Sequence, residues 1–175
     1  MDKWLELERQ LRHEGTLLPE RTRAEILRSA FAAGRLAVEE RDNYIVAIAA
    51  IWPSPHPAWW EVGTIWVHPN FRRRGLANAV FSDALSKLHC LPGDGAFLIT
   101  YKPHVADMVL AAGWTEVFWD ISKVPEEAIQ HRRYRHTAGA ANVKERRLFC
   151  YPLRAERGHS TEPRPSIGEQ QIGVE

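Results

Sequence analysis

The stretch Val67-His-Pro-Asn-Phe-Arg-Arg-Arg-Gly-Leu-Ala77 constrains the fold more than any other part of the chain. It leaves the end of an apolar, β-branched and aromatic run, Trp59 to Val67, and enters a strongly amphipathic segment. In that segment Ala77, Val80, Phe81, Ala84, Leu85 and Leu88 share one helical face, while Asn78, Ser82, Asp83, Ser86 and Lys87 take the other. A strand, a tight turn and a helix N-terminus in direct succession force the first amides of the helix to point out of the turn without intrahelical partners. The helix dipole adds positive potential there, so the arrangement is a ready anion site. Arg72-x-x-Gly75-x-Ala77 supplies cationic side chains, and Gly75 lets an anion approach the backbone. A basic turn that merely caps a surface helix would show the same residues, so the flanking elements must decide.

Those elements describe a mixed sheet. Trp4, Leu7 and Leu11 recur at helical spacing. Pro19 opens a second helix with Ile26, Leu27, Ala30 and Phe31 on one face and Gly34 as its stop. Leu36–Glu40 and Tyr44–Trp52 read as a hairpin around Arg41-Asp-Asn43, and Pro53-Ser-Pro-His-Pro57 separates it from the Trp59–Val67 strand. After the amphipathic helix come a buried strand Ala96–Tyr101, a helix His104–Ala112 closed by Gly113, a strand Trp114–Ile121, a helix starting near Pro125 and a last strand Arg147–Leu153. Three strands joined by short loops are expected to be antiparallel, and the strand–helix–strand unit over 61–101 parallel. No convincing strand precedes the first helix, so an edge strand is expected to be missing.

Bulk properties narrow the function classes. A chain of 175 residues suits one domain, placed here at 1–154. The polar segment 155–175, with Pro and Gly, is expected to be disordered. A net charge of +1 makes no demand for nucleic acid or an acidic membrane. No apolar run of about 18 residues argues for a membrane span. The charged start Met1-Asp-Lys-Trp-Leu-Glu does not read as a signal peptide. Cys90 and Cys150 are too few for a disulfide framework, so a cytoplasmic location is expected. Trp52, Trp59, Trp60 and Trp66 crowd one region, which is expected to line something large or apolar.

With strand, turn and helix in place, the chain resembles the GCN5-related N-acetyltransferases (GNAT), which move acyl groups from coenzyme A to amines. The resemblance runs from about Leu36 to Ile121 and centres on Val67–Ala77, which matches the family's acyl-CoA pattern Arg/Gln-x-x-Gly-x-Gly/Ala. It implies an α/β (α+β) fold, a mostly antiparallel sheet with a central parallel pair, flanked by helices. It implies that acetyl-CoA is the co-substrate, with no metal. It places the pyrophosphate on the amides of Arg73, Arg74, Gly75, Leu76, Ala77 and Asn78, with Arg72, Arg73 and Arg74 as candidates for the outer phosphates. Ile65, Trp66 and Val67 would offer backbone groups to the pantetheine arm from a bulged strand. Lys102 would lie near the arm.

Glu61 stands where several family members carry a general base. An ammonium must lose a proton before its lone pair can attack a thioester, and burial beside Trp60 and Trp66 would favour uptake of that proton. A solvent-facing strand glutamate is the alternative. The family's third motif is broken: the position of its usual acid, a Tyr that protonates the departing thiol, is Val109. Three outcomes remain open. A thiol of ordinary pKa about 8.5 can leave without an acid; Tyr101 or Tyr134 can supply the proton; or the chain binds coenzyme A without turnover.

Other signals are weaker. The eight His residues form no metal set. His56 reads as a loop histidine, Cys90 as a structural thiol, and His131-Arg-Arg-Tyr-Arg-His136 as a solvated helix face. A nucleic-acid module using the two Arg runs is the remaining rival, and it predicts strongly salt-dependent binding. The reading is acyl transfer, acetyl in the first instance, to the primary amine of a small molecule or peptide. A polyamine, an antibiotic, an amino acid and a protein N-terminus all remain open as acceptors.

Overall fold

A computed structural model describes residues 2–14, 19–117, 123–129 and 146–153. Helix α1 (Lys3–Glu14) comes first, followed by a single 3₁₀ turn (Pro19–Arg21) and helix α2 (Ala24–Ala32). Strands β1 (Leu36–Arg41), β2 (Tyr44–Pro53) and β3 (Trp59–Val67) lead into α3 (Leu76–His89). Then come β4 (Gly95–Thr100), α4 (Pro103–Ala111), β5 (Thr115–Glu116) and β6 (Arg147–Pro152). The strand order is β1-β2-β3-β4-β6-β5. Only β3 and β4 run parallel; every other neighbouring pair is antiparallel. No strand precedes α1 among the described residues, and β1 forms the sheet edge.

The β1–β2 hairpin closes as its sequence demands. Asp42 and Asn43 both take positive φ, 48° and 65°. A two-residue loop with both residues left-handed matches the twist of the flanking strands, and Asp and Asn tolerate that conformation. β2 is buried along nearly its whole length because helices cover both faces of the sheet.

One face, called here the α3 face, packs Ala47, Ala49, Ile51, Val62, Ala96, Leu98 and Phe149 against Val80, Phe81, Ala84 and Leu88 of α3 and Ala106 and Val109 of α4. The opposite, α1 face divides in two. Leu36, Ile48, Ala50, Trp52 and Trp66 receive Trp4, Leu7 and Leu11 of α1 and Leu27 and Ala30 of α2. Phe97 and Leu148 instead receive Val117, Val124, Ala128 and Ile129. The crowded tryptophans therefore do not line one surface. Trp52 and Trp66 belong to the α1 face, and Trp60 packs on the α3 face, its Nε1 donating to the Pro92 carbonyl at 2.8 Å.

Three details differ from the sequence reading. Pro19 opens a separate 3₁₀ turn rather than the second helix, which starts at Ala24. On α2 the buried residues are Ala24, Leu27 and Ala30, while Ile26 and Phe31 are exposed. The helix rests on a narrow contact with α1, and Phe31 reaches only the edge of Trp4, ring centres 5.4 Å apart. Within the Trp114–Ile121 segment the described ladder is Thr115–Glu116 paired to Cys150 and Phe149; residues 118–122 lie outside the described set, as does the 155–175 tail. The short β5 is tied to β6 by a two-point ion pair, in which Arg147 Nε and Nη2 donate to Glu116 at 2.8 and 2.6 Å. That contact holds the Glu116 carboxyl below its usual range.

Leu27→Ala should destabilise the fold by about 2–5 kcal/mol, because a fully buried side chain is lost into a packed cluster. Ile26→Ala should cost about 0.5 kcal/mol or less. Urea unfolding of the two variants checks the assignment of the α2 face; equal losses would contradict it.

Candidate functional site

The parallel pair is short. β3 and β4 align at Trp59–Gly95, Trp60–Ala96 and Glu61–Phe97, and the register ends there. β4 continues to Thr100 on its other side, paired with β6 as far as Arg147. The cause lies in β3. From Ile48 to Ala50 on β2 the partner strand advances from Trp66 back to Gly63, which leaves one extra residue on β3. Such a bulge bends the strand and leaves backbone groups outside the ladder. Thr64 inside it has φ 52°, a left-handed conformation that a β-branched residue rarely adopts. Trp52 Nε1 donates to Thr64 Oγ1 at 3.0 Å and pins the residue there.

The parted strands enclose a cavity of about 130 Å³ between Gly63–Ile65 and Leu98–Lys102, with Val105 above. Leu98 belongs to the α3 face, whereas Ile99 packs on the α1 face. This opening between the strands, called here the passage, thus takes lining residues from both faces of the sheet.

A larger cavity of about 770 Å³ lies on the α3 face and shares Ile65, Lys102 and Val105 with the first. The two cavities therefore adjoin along these three residues. Gly75, Leu76, Ala77 and Asn78 form one wall of the larger one, and Lys102, His104 and Met108 the opposite wall. Gly75 is the N-cap of α3 with φ 76° and no side-chain cap. The first intrahelical bond is Ala79 N–H to the Gly75 carbonyl, at 3.1 Å. The amides of Leu76, Ala77 and Asn78 thus precede the helical ladder and border the cavity. A Cβ built on Gly75 would meet nothing within 4 Å, so glycine is required here by backbone conformation rather than by a steric neighbour.

The three arginines separate into different roles in the fold. Arg72 donates from Nε to the Val67 carbonyl at 3.0 Å and pairs through Nη2 with Glu14 at the end of α1. Arg74 stacks over Phe71, 5.3 Å from the ring centre, and does not border the cavity. Arg73 borders it with φ 62° and no ion pair among the described residues. Glu14 was not among the candidates read from the sequence, yet it stands on the cavity wall against Arg72. Fifty-eight residues separate the two, and no local pattern announces the contact.

Glu61 occupies the last paired rung of β3 and β4 and is 5% exposed. Its cross-strand neighbours are Trp52 and Phe97, which belong to the two separate clusters of the α1 face. It is thus a buried carboxylate between two apolar units, beside the passage. Its Oε1 lies 3.8 Å from where a Cβ on Gly63 would stand. Arg21, from the 3₁₀ turn, donates through Nη2 to Glu61 Oε2 at 2.8 Å. The same guanidinium lies over the Trp52 ring, 5.1 Å from its centre. Burial was the expected influence on Glu61; the structure adds a cation, Arg21, in direct contact with it. Arg21 was also missed in the sequence, where it reads as one more surface residue after Pro19.

Tyr101 is 49% exposed and borders the passage. Val109 is fully buried in the α3-face core. Lys102 borders both cavities, and its amide donates to Thr100 Oγ1 at 3.1 Å. His56 accepts the Ala58 amide on Nδ1 at 3.2 Å, a loop-building contact. Cys90 is exposed at the end of α3, and Cys150 has its thiol pushed up by burial. Tyr134 and the His131–His136 run lie outside the described residues. Among the described residues no group of three or more His, Cys, Asp or Glu could hold a metal, and no helix is long and apolar enough to cross a membrane.

Comparison with solved structures finds the same fold at low sequence identity. N-acetylglutamate synthase from Neisseria gonorrhoeae, solved with coenzyme A and N-acetyl-glutamate, superposes with TM-score 0.61 at 17% identity; the match covers 87% of this chain and 32% of that one. This chain therefore spans about a third of that protein's length. Diaminobutyrate acetyltransferase EctA from Paenibacillus lautus, solved with L-2,4-diaminobutyric acid and coenzyme A, gives TM-score 0.60 at 16% identity over 89% of this chain and 93% of that one. Ard1 from Thermoplasma volcanium gives 0.59 at 11% identity over 87% and 93%. No curated protein matches the sequence. The family model for the acetyltransferase (GNAT) family matches residues 2–106. That span takes in α1 through the start of α4, including the bulged strand and the Arg72–Ala77 turn, and the chain belongs to the GNAT acetyltransferase family.

Proposed function

We propose that this chain transfers an acetyl group from acetyl-CoA to a primary amine by direct attack. The observation that carries the reading is the gap between the parted strands, which adjoins the larger cavity at Ile65, Lys102 and Val105 and lies next to Glu61 on the last paired rung. A donor held on the α3 face and an acceptor entering from the α1 face would meet inside the sheet.

The residues present suit coenzyme A. Pyrophosphate needs unpartnered amides and positive potential, and the Leu76–Asn78 amides at the start of α3 offer both. Arg73 stands ready for an outer phosphate, as does Arg72 once its bond to Glu14 is exchanged. Ile65, Trp66 and Val67 would hold the pantetheine arm along the unpaired edge of β3, although the Val67 carbonyl already accepts from Arg72. Lys102 would close the other side. Acetyl-CoA supplies an activated thioester carbonyl.

The residues of the chain then have two tasks. Amides of the bulge near Val67 would stabilise charge developing on the carbonyl oxygen. Glu61 would accept the amine's proton, directly or through water, as the C–N bond forms and the C–S bond breaks. The thiolate either leaves unprotonated or takes a proton from Tyr101, the one described tyrosine bordering the passage. No covalent enzyme intermediate is needed, because holding the reactants in line supplies much of the acceleration.

Three measurements test this reading. Gly75→Ala should raise the Kd for acetyl-CoA at least about tenfold, because a left-handed Cβ-bearing residue costs about 1–2 kcal/mol and disturbs the amide array. Glu61→Gln should lower kcat about 10²–10⁴-fold while the acetyl-CoA Kd stays within about threefold; unchanged turnover would remove the base assignment. Tyr101→Phe should lower kcat about tenfold or more if the phenol protonates the thiol, and an unaltered kcat would mean that the thiolate departs unaided. Thiol release across a panel of amines is the common readout. Tight coenzyme A binding with no release from any amine would reduce the function to coenzyme A binding.

A further inference from the structure

The Arg21–Glu61 pair is held at one point, unlike the two-point ion pairs of the same molecule. Arg147 grips Glu116 through two nitrogens, and Arg9 grips Glu6 in the same way. Arg21 reaches Glu61 through Nη2 alone. Its Cζ also lies over the Trp52 ring, 5.1 Å from the centre, a contact that consumes no N–H donor. The remaining donors of the guanidinium make no other bond among the described residues, and none of its nitrogens is both buried and unpartnered. They therefore open toward solvent, although the side chain as a whole is only 16% exposed. A guanidinium held between a carboxylate and an aromatic ring, with part of its fork unused, is positioned to receive a second carboxylate in the plane of its donors.

Its neighbour supplies the complement. Glu61 lies one hydrogen bond away, 5% exposed and next to Gly63, which lines the gap between the strands. A cation and an anion side by side match a ligand that carries the opposite charges a few bonds apart. The ligand's ammonium would lie against Glu61 and its carboxylate against Arg21, closing a ring of alternating charge. A plain amine satisfies only half of this arrangement and leaves the Arg21 fork to water. An uncharged acceptor satisfies neither half.

We infer that the acceptor is an amino acid, with its amine directed to Glu61 and its carboxylate bound by Arg21 on the Trp52 platform. The inference rests on the acyl-transfer reading for what happens to that amine, and on the Arg21–Glu61–Trp52 geometry for the ligand class. Arg21 is here a specificity-determining residue, and the carboxylate it binds takes no part in the bond changes.

Calorimetry with coenzyme A present tests ligand class without turnover. L-α-amino acids and diamino acids are titrated beside the amines left when the α-carboxylate is removed, for example L-2,4-diaminobutyrate against 1,3-diaminopropane. At least one acid should bind about 30-fold more tightly than its decarboxylated partner, as expected for a charge-assisted pair. In Arg21→Gln that ratio should fall to within about threefold of unity. Arg21→Lys, which keeps the charge but loses the fork, should retain an intermediate ratio. Coenzyme A binding, measured first, reports that each variant is folded. The inference is overturned if no acid binds, if acids and amines bind alike, or if the preference survives in Arg21→Gln. Thiol release separates the two readings. Equal acetylation of amino acids and plain amines sinks the amino-acid inference and leaves acyl transfer standing. Arg21-dependent amino-acid binding without thiol release does the reverse.

Discussion

One extra residue in β3 sets the rest of the site. The bulge at Thr64 bends β3 away from β4, ends their parallel ladder at Glu61–Phe97, and leaves a cavity between the two strands. A left-handed threonine costs free energy, and the fold holds it there with the Trp52 indole. The same indole carries Arg21 on its face, and Arg21 in turn bonds Glu61. Strand geometry, the buried carboxylate and the cation beside it are thus linked through Trp52. Each contact constrains the next.

The two faces of the sheet divide the labour. On the α3 face, positive potential gathers where the amides of Leu76–Asn78 precede the helical ladder, and Arg73, Lys102 and His104 border the same space. Glu14 intrudes there as the one acidic wall residue and occupies Arg72, so an incoming phosphate would exchange one anion for another rather than meet a bare guanidinium. On the α1 face, Glu61 and Arg21 stand between the cluster under α1 and α2 and the cluster around Phe97. Burying charge between two apolar units is costly unless it is paired. Pairing by a single bond leaves the arginine both neutralising Glu61 and able to engage a second anion.

Much of the fold was legible because it depends on neighbours in the chain. Alternating and helical periodicities place nearly every described element, and Asp42-Asn43 closes its hairpin by its own backbone preferences. The family resemblance, carried by Val67–Ala77, agrees with the family match and with a sheet that has one parallel pair. Periodicity misled at α2, where Ile26 and Phe31 share an apolar face with Leu27 and Ala30 yet stay exposed, because the surface available on α1 is narrower than the stripe. It was also silent on β6, which inserts between β4 and β5, since strand order depends on pairings remote in sequence.

By itself the sequence determined the strand–turn–helix unit around Gly75, because consecutive residues fix where a turn falls and which amides begin a helix. It also determined that a glutamate stands on the strand leading into that unit. Only the tertiary structure decided what these residues face. Arg21 meets Glu61 across 40 positions, Glu14 meets Arg72 across 58, and Trp52 reaches Thr64 across 12. None of these contacts leaves a periodic trace, because a hydrogen bond between distant side chains constrains two positions and nothing between them. The amide array at the start of α3 is a property of the local chain, whereas the charge pair on the far face is a property of how the sheet and helices pack.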